Sequence, residues 1–552
     1  MKKGKRLDAW FIVKLAVLAL FLLILVYPLF GMLKQSVIAS DGNGFTLEYF
    51  EKFFSNSYYI SAVLNSFKVT LAVTAFSVLI ALPLSYFYSF YRIKGARIIF
   101  VASLMACMSA PFIGAYAWIM LLGRSGVITQ FMKTAFGIAI PNIYGFKGIL
   151  LVQSLKFFPL IFIYMNGAFR NIDNTLMEAS ENLGCSGVKR FFTIVMSLSM
   201  PTLLAGILLV FMRAFADFGT PMMIGEGYRT FPVEIYTQYV GEVGQNHNFA
   251  AAISTIAILI TAAIFLLQKW ATNRFKFTIN ALHPVQKKDA KGIKGALMYL
   301  YSYALIAVAI LPNVYVCYLA FRNSSGPMFK EGYSLDNFRT ALDKLLLRAV
   351  KNTLLQGVLA LGIIILLSIL IAYLVVRRSS ALSNTIDTLS MLPYIMPGTV
   401  IGIALIVAFG AKPWVLTGTT TIMVLNLVIR RMPYTIRSAT ARLMQIPMSM
   451  EEASISLGAS KVKTFFRITV PMMASGILSG AVLSWVAIVT ELSGAIILYN
   501  NKTLNLTMAT YTSINRGKYG PACAYAFVLT AITVISMIVY LKLTKSEDDI
   551  QL

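Results

Sequence analysis

Long apolar runs alternate with short polar stretches along the whole chain. They fall at about 9–33, 64–90, 98–122, 147–168, 195–218 and 249–268, then again at about 297–321, 349–376, 385–410, 414–435, 468–498 and 521–543. Each is close to the roughly 20 residues a helix needs to cross a bilayer. The runs are continuous and do not alternate with polar residues, which excludes an outer-membrane barrel. Helices then remain as the way to satisfy the backbone in lipid. The pattern predicts an all-α polytopic membrane protein with about 12 transmembrane helices. A polar, aromatic stretch at 40–62 with Asp41, Glu48 and Glu51 fits the outside.

Composition agrees. Hydrophobic residues make up 58% of the 552, with a mean hydropathy of +0.74, against about half for a soluble chain. The net charge of +26 sits beside the runs. Basic residues occur in MKKGKR at residues 1–6, at Arg92, Lys94 and Arg97, at Arg170, and throughout 269–296. In the second half they occur at Arg377-Arg378, Arg430-Arg431, and Lys542 with Lys545. Lysine and arginine collect in cytoplasmic loops, so both termini are expected inside a multi-pass cell membrane protein. A basic excess placed next to spans speaks for topology and against a nucleic-acid partner. No small-residue cleavage site follows the first run, so it reads as an uncleaved span. The four cysteines show no disulfide or zinc spacing, and His247 and His283 lie in separate loops.

The runs form two sets. Residues 1–268 make a first repeat, 269–296 a basic cytoplasmic linker, and 297–552 a second repeat. Asn65-Ser66 matches Asn352-Thr353, and Tyr86 matches Tyr373, at an offset of 287. Pro111-Phe112-Ile113 matches Pro393-Tyr394-Ile395, and Pro159 matches Pro433. Each half has an even number of runs, so the repeats are parallel, related by an axis along the membrane normal.

The most telling duplication is polar. Residues 175–184 read TLMEASENLG and residues 449–458 read SMEEASISLG. Glu178 and Glu452, Gly184 and Gly458, Phe191 and Phe465, and Ile194 and Ile468 all stand 274 apart. Thr175-x-x-Glu178 and Ser449-x-x-Glu452 have the spacing of capping boxes, and the glycines suit a left-handed helix end. Each copy is expected to be a helix of about two turns. Leu176, Ala179, Ser180 and Leu183 share one face, as do Met450, Ala453, Ser454 and Leu457. A second short helix should follow, capped by Ser186 or Ser460.

Glu-Ala-Ser-x-x-x-Gly, with Ile ten residues beyond the glycine and Pro471 three further on, resembles the EAA signature of ATP-binding-cassette importer permeases. PFIGAYAWIMLLGRSG (111–126) and FADFGTPMMIG (215–225) resemble fused permeases of the ferric-iron type, whose relatives carry thiamine and aminoethylphosphonate. The resemblance covers nearly the whole chain and implies the type I ABC importer permease fold. In that family the repeated segment is the coupling helix that docks on the ATPase. It implies coupling roles for Glu178, Ala179, Ser180, Leu183 and Gly184, and for Glu452, Ala453, Ser454, Leu457 and Gly458. The implied partners are two cytoplasmic ATPase subunits, an extracytoplasmic binding protein and membrane lipid. The chain would be no enzyme and hold no cofactor, with ATP and magnesium on the partner ATPase. The first copy departs from the signature: Ser197 stands where the second has Pro471, with proline a turn later at Pro201. That predicts two docking sites of different geometry just after the coupling helix.

Asp217 and Glu491 also differ by 274 and lie near the outer half of a span. Intramembrane acids usually line a cavity or pair with a base. They read either as lining a substrate path that favours a cation, or as a packing or gate pair, with Arg213 one turn before Asp217 as a candidate partner. No other residue is assigned to a metal or to catalysis. A secondary transporter working on an ion gradient is the alternative, and a channel a more distant one. The sequence has no G-x-x-x-x-G-K-[ST] phosphate loop, so the energy of an ATP-driven importer would come from another chain. Ferric iron is the expected cargo, with thiamine, aminoethylphosphonate or a polyamine as alternatives.

Overall fold

The computed structural model describes residues 9–39, 44–108, 110–185, 187–241, 246–274 and 286–543. The first half builds α1 (Ala9–Gln35), α2 (Ser57–Phe90), α3 (Ala96–Met108), α4 (Pro111–Leu122), α5 (Phe146–Arg170), α6 (Asn174–Asn182), α7 (Gly187–Phe215), α8 (Phe231–Val240) and α9 (His247–Arg274). The second repeats the order: α10 (Gly292–Leu319), α11 (Leu346–Val376), α12 (Ala381–Ile395), α13 (Gly398–Phe409), α14 (Thr420–Met444), α15 (Ser449–Ser456), α16 (Lys461–Val489), α17 (Leu506–Asn515) and α18 (Tyr519–Leu543). The fold is helical apart from small strand pairs. Tyr91–Arg92 (β1) pairs in parallel with Lys288–Asp289 (β2), and Arg322–Ser325 (β3) forms a hairpin with Met328–Tyr333 (β4).

Among the described residues ten helices are long and apolar enough to cross a membrane. The pair α12 and α13, bent by 114°, makes an eleventh. The remaining expected run, 414–435, corresponds to α14, which carries Arg430, Arg431, Arg437 and Arg442 and so differs in polarity from the rest. Of the residues assigned to the linker 269–296, α9 continues to Arg274 and α10 begins at Gly292. Residues 275–285, with His283, lie outside the described ones.

Within each half the same three helices pack together: α2 with α5 and α7, and α11 with α14 and α16. Small residues make this possible. On α2 the buried stripe includes Ser66, Thr70, Thr74, Ser77, Ala81 and Ser85, spaced three or four apart so that the helix axes approach closely. The register of the repeat is strict here. The bounds of α5 and α14 differ by 274 at both ends, as do those of α7 and α16.

By packing, the chain divides into two compact units that do not coincide with the sequence halves. One gathers Met1–Lys52, Ile235–Ile258 and Arg322–Ile550; the other gathers Phe53–Glu234 and Leu259–Phe321. In the first, α1 packs on α12 and α13. In the second, α10 packs on α3 and α4. Each half thus lends its opening helix to a unit built mainly from the other half. The Pro111 and Pro393 match also falls at unlike places: Pro111 opens α4, whereas Pro393 lies inside α12 and Pro397 precedes α13.

Candidate functional site: two repeated turns and two buried ion pairs

Both repeated segments form a short helix closed by the same turn. The Cys185 amide donates to the Ser180 carbonyl at 2.8 Å and the Gly184 amide to the Glu181 carbonyl at 2.9 Å. In the second copy the Ala459 amide donates to the Ser454 carbonyl at 3.1 Å and the Gly458 amide to the Ile455 carbonyl at 2.9 Å. These are Schellman closures, which need a left-handed residue after the helix. Gly184 and Gly458 supply it, with φ of 77° and 86°.

The helix starts differ from expectation. The capping boxes do not form. In α6 the cap is Asp173, whose Oδ1 accepts from the Thr175 amide at 2.9 Å and the Thr175 hydroxyl at 2.8 Å. A carboxylate is a stronger acceptor than a hydroxyl, so it takes the orphan amide. Glu178 accepts from Asn174 instead, at 2.6 Å. Ser449 is already inside α15. The amides of Met450, Glu451 and Glu452 donate to the carbonyls of Pro447 and Met448. Ser460 does cap the next short helix, accepting from Lys463; Ser186 lies outside the described residues.

The residues expected to couple to an ATPase split into an inner and an outer set. Glu178, Ala179, Leu183 and Gly184 are exposed, as are Glu452, Ala453, Leu457 and Gly458. Leu183 is 87% and Leu457 90% exposed at the turn tips. Ser180 and Ser454 are buried. The Ser454 hydroxyl bonds Thr464 at 2.9 Å and the Ser180 hydroxyl donates to the Met177 carbonyl, so these serines anchor the turn to its own chain. Beside the first turn, Arg190 bonds Glu181 at 2.8 Å and holds its carboxyl below the usual carboxylate range.

The expected difference after the coupling helix is absent. In both copies a π-helical turn follows, Phe191–Val195 and Phe465–Thr469, in strict register. The Met196 amide donates to the Phe191 carbonyl and the Val470 amide to the Phe465 carbonyl. The wide turn already interrupts the regular ladder, so a residue without an amide costs little at position 471. Ser197 in the first copy reaches the Phe192 carbonyl with its hydroxyl.

The real asymmetry lies in how each turn is tethered. Glu451 is buried and paired with Arg377 at 2.9 Å. Arg377 also donates to the Ile446 carbonyl at 2.6 Å, and Tyr373 to Glu451 at 3.4 Å. Tyr373 packs edge-on against Phe465, and Trp10 of α1 packs on both. At the equivalent positions of the first half stand Met177 and Phe90, both buried, with Tyr86 edge-on against Phe191. One turn is clamped by charge and the other by apolar packing. Glu451→Gln is expected to destabilise the protein by about 3 kcal/mol, the cost of stranding a buried charge. The double change Arg377→Phe with Glu451→Met copies the first half and should recover most of that loss. Thermal unfolding of the detergent-solubilised protein measures both.

Asp217 and Glu491 are buried, and each meets a base on the neighbouring long helix. Asp217 accepts from Gln153 at 3.0 Å and lies 3.5 Å from Lys156. Glu491 binds Arg430 and Arg431, and accepts from Ser493 at 3.2 Å and from the Gly494 amide at 2.9 Å. Lys156 and Arg430 are themselves 274 apart, so the ion pair is duplicated as a pair. Sequence reasoning proposed Arg213, on the same helix as Asp217; the observed base comes from α5. Arg430-Arg431, expected to mark the cytoplasmic side, lie inside α14 with 11% and 13% of their side chains exposed. Packing is tight here: a methyl group on Gly494 would come within 2.4 Å of Asn426, and one on Gly398 would meet Arg430.

A duplicated helical membrane protein, with the same exposed turn and the same buried ion pair in each half, has the build of a transporter's membrane component. The chain belongs to the binding-protein-dependent transport system inner membrane components: the family profile matches residues 143–277 and 364–546. Those two stretches hold both repeated turns and both buried acids. Over 534 residues the chain is 28% identical to the ferric transport system permease protein FbpB of Actinobacillus pleuropneumoniae, covering 94% of this chain and 76% of that protein. It is 28% identical over 505 residues to a putative ferric transport system permease protein of Haemophilus influenzae, covering 89% and 78%. A putative 2-aminoethylphosphonate permease of Salmonella typhimurium matches at 24% over 269 residues, 48% of this chain and 92% of that protein.

Proposed function

We propose that this chain is the fused permease of an ATP-driven importer that takes ferric iron from an extracytoplasmic binding protein and passes it inward by alternating access. The observation that carries this is the pair of repeated turns: two identically closed helices, each holding an apolar leucine in the open at its tip. Two cytoplasmic ATPase subunits would seat there and supply ATP and magnesium, this chain holding no cofactor of its own. The docking turns and both termini then face the cytoplasm of a cell whose inner membrane the protein crosses. A secondary transporter would have no use for such turns.

Ferric iron as cargo rests on the two similar chains whose names carry ferric transport and that are matched over most of their length. Thiamine, aminoethylphosphonate and polyamines stay as the alternatives to test. The acids at 217 and 491 favour a structural part over a bare cation path, because each already has a basic partner. Calorimetry on the cognate binding protein with ferric iron and the three alternatives identifies the cargo. Uptake in proteoliposomes holding this chain, its ATPase and the binding protein should require ATP. Uptake by this chain alone on an ion gradient would overturn the proposal.

A further inference from the structure

The two halves do not keep one offset throughout. The bounds of α4 and α13 differ by 287 at both ends, and those of α5 and α14 by 274. The change falls in one place: 23 residues join α4 to α5, and 10 join α13 to α14. The longer link of the first half contains a helix, Val127–Phe136, and the shorter link contains none.

This helix is two-sided. At 3.6 residues per turn, Val127, Ile128, Phe131, Met132, Ala135 and Phe136 cover one half of its circumference. Thr129, Gln130, Lys133 and Thr134 cover the other half. None of its side chains is buried, and Val127, Phe131 and Phe136 are each more than half exposed. By length and apolarity the stretch Phe112–Phe136 counts as a span, but a continuous polar half-face is the mark of a helix at a boundary and not of one with hydrocarbon all round. Between Arg124 and Lys147 the only charged side chain is Lys133, on the polar half.

The link is held at its neck. Arg124 bonds Glu226 at 2.7 Å and lies over the Tyr144 ring at 5.0 Å. The Gly145 amide donates to the Ile224 carbonyl at 2.9 Å. Both ends of the link therefore meet residues 224–226. From the neck, α5 runs 25 residues toward α6. At 1.5 Å per residue that is about 37 Å, more than the hydrocarbon core of about 30 Å. The helix thus stands at the membrane face opposite the first repeated turn.

We propose that Val127–Phe136 is an interfacial anchor, its apolar half sunk in the acyl chains and Lys133 among anionic lipid headgroups. The bilayer surface is the one environment at that level that is apolar on one side and wet on the other, and it attracts a cation that has no acid beside it. The anchor belongs to one half alone, so it holds the link from α4 to α5 at the membrane surface and leaves its ten-residue counterpart without a helix to do the same. The importer reading enters at one point only: it makes this leaflet the outer one.

The test uses the full chain in vesicles of phosphatidylcholine with phosphatidylglycerol. In a background with Cys107, Cys185, Cys317 and Cys523 replaced by alanine, Phe131→Cys, Ala135→Cys, Gln130→Cys and Thr134→Cys each carry a nitroxide. Oxygen concentrates in hydrocarbon and a nickel chelate stays in water, so the ratio of their collision rates reads depth. With the apolar half sunk by about 5–10 Å, the ratio should be about tenfold higher at 131 and 135 than at 130 and 134. Uniformly high ratios would make the helix part of a crossing span, and uniformly low ones would leave it in water, open to a protein partner; either overturns the anchor. Lys133→Glu should lower the ratio at 131 about fivefold in these vesicles and leave it unchanged in phosphatidylcholine alone. No effect in the anionic vesicles would overturn the headgroup contact. In intact spheroplasts Gln130→Cys should react with a membrane-impermeant maleimide. Reaction only after lysis would reverse the orientation that the importer reading requires, while the collision ratios still decide the anchor.

Discussion

Serine at both Leu183 and Leu457 is expected to strip the ATPase from the transporter. These leucines are among the most exposed large apolar side chains of the protein, at 87% and 90%. Each sits immediately before a left-handed glycine that fixes where it points. Full burial of a leucine is worth about 1.5–3 kcal/mol, so losing two docked leucines weakens the complex by roughly a hundredfold or more. The turns themselves should survive, because their closure is made by backbone groups. The double variant should therefore keep its helical content and melting temperature, yet no longer co-purify with ATPase subunits or support uptake. Retention of the ATPase at full stoichiometry would remove the docking role from these turns.

The second large effect falls on the buried acids, and the halves should respond unequally. Glu491→Gln strands two guanidinium groups of α14, which must then stay charged in a dry site. Asp217→Asn leaves one ammonium group with Gln153 nearby. Breaking a buried ion pair costs about 3–5 kcal/mol; the Glu491 change belongs near the top of that range and the Asp217 change near the bottom. Thermal unfolding in detergent should rank them in that order, with Glu491→Gln also lowering yield. If both variants were as stable as the parent but altered cargo selectivity, the acids would line the path after all.

How far the sequence spoke depended on the kind of interaction. Helix positions and the duplication were legible because apolar runs and fixed offsets are properties of the chain alone. The left-handed glycines were legible for the same reason, since a Schellman closure is local. What failed needed knowledge of neighbours. Thr175 looked like a cap until Asp173, two residues earlier, proved the better acceptor. Arg430 and Arg431 looked like loop markers because nothing local reveals a carboxylate 60 residues away. The offset that picked out Asp217 and Glu491 also relates Lys156 to Arg430, so this pairing was within reach of the same comparison. Ser197 against Pro471 was a true difference in sequence with no difference in path, because the π turn before it absorbs the missing amide. The asymmetry that does exist, Arg377–Glu451 against Phe90 and Met177, was hidden in a position inside the repeated segment that the signature leaves free.

The exchange of opening helices has a consequence for how the protein is made. During synthesis α1 leaves the ribosome well before the helices it packs on, α12 and α13, which begin at Ala381 and Gly398. More than 340 residues separate the end of α1 from its partners. That helix must wait in lipid until α12 and α13 are made, while α10 finds α3 and α4 already in the membrane. The apolar character of α1, among the strongest of the spans, suits a segment that has to be stable alone before it has anything to pack against.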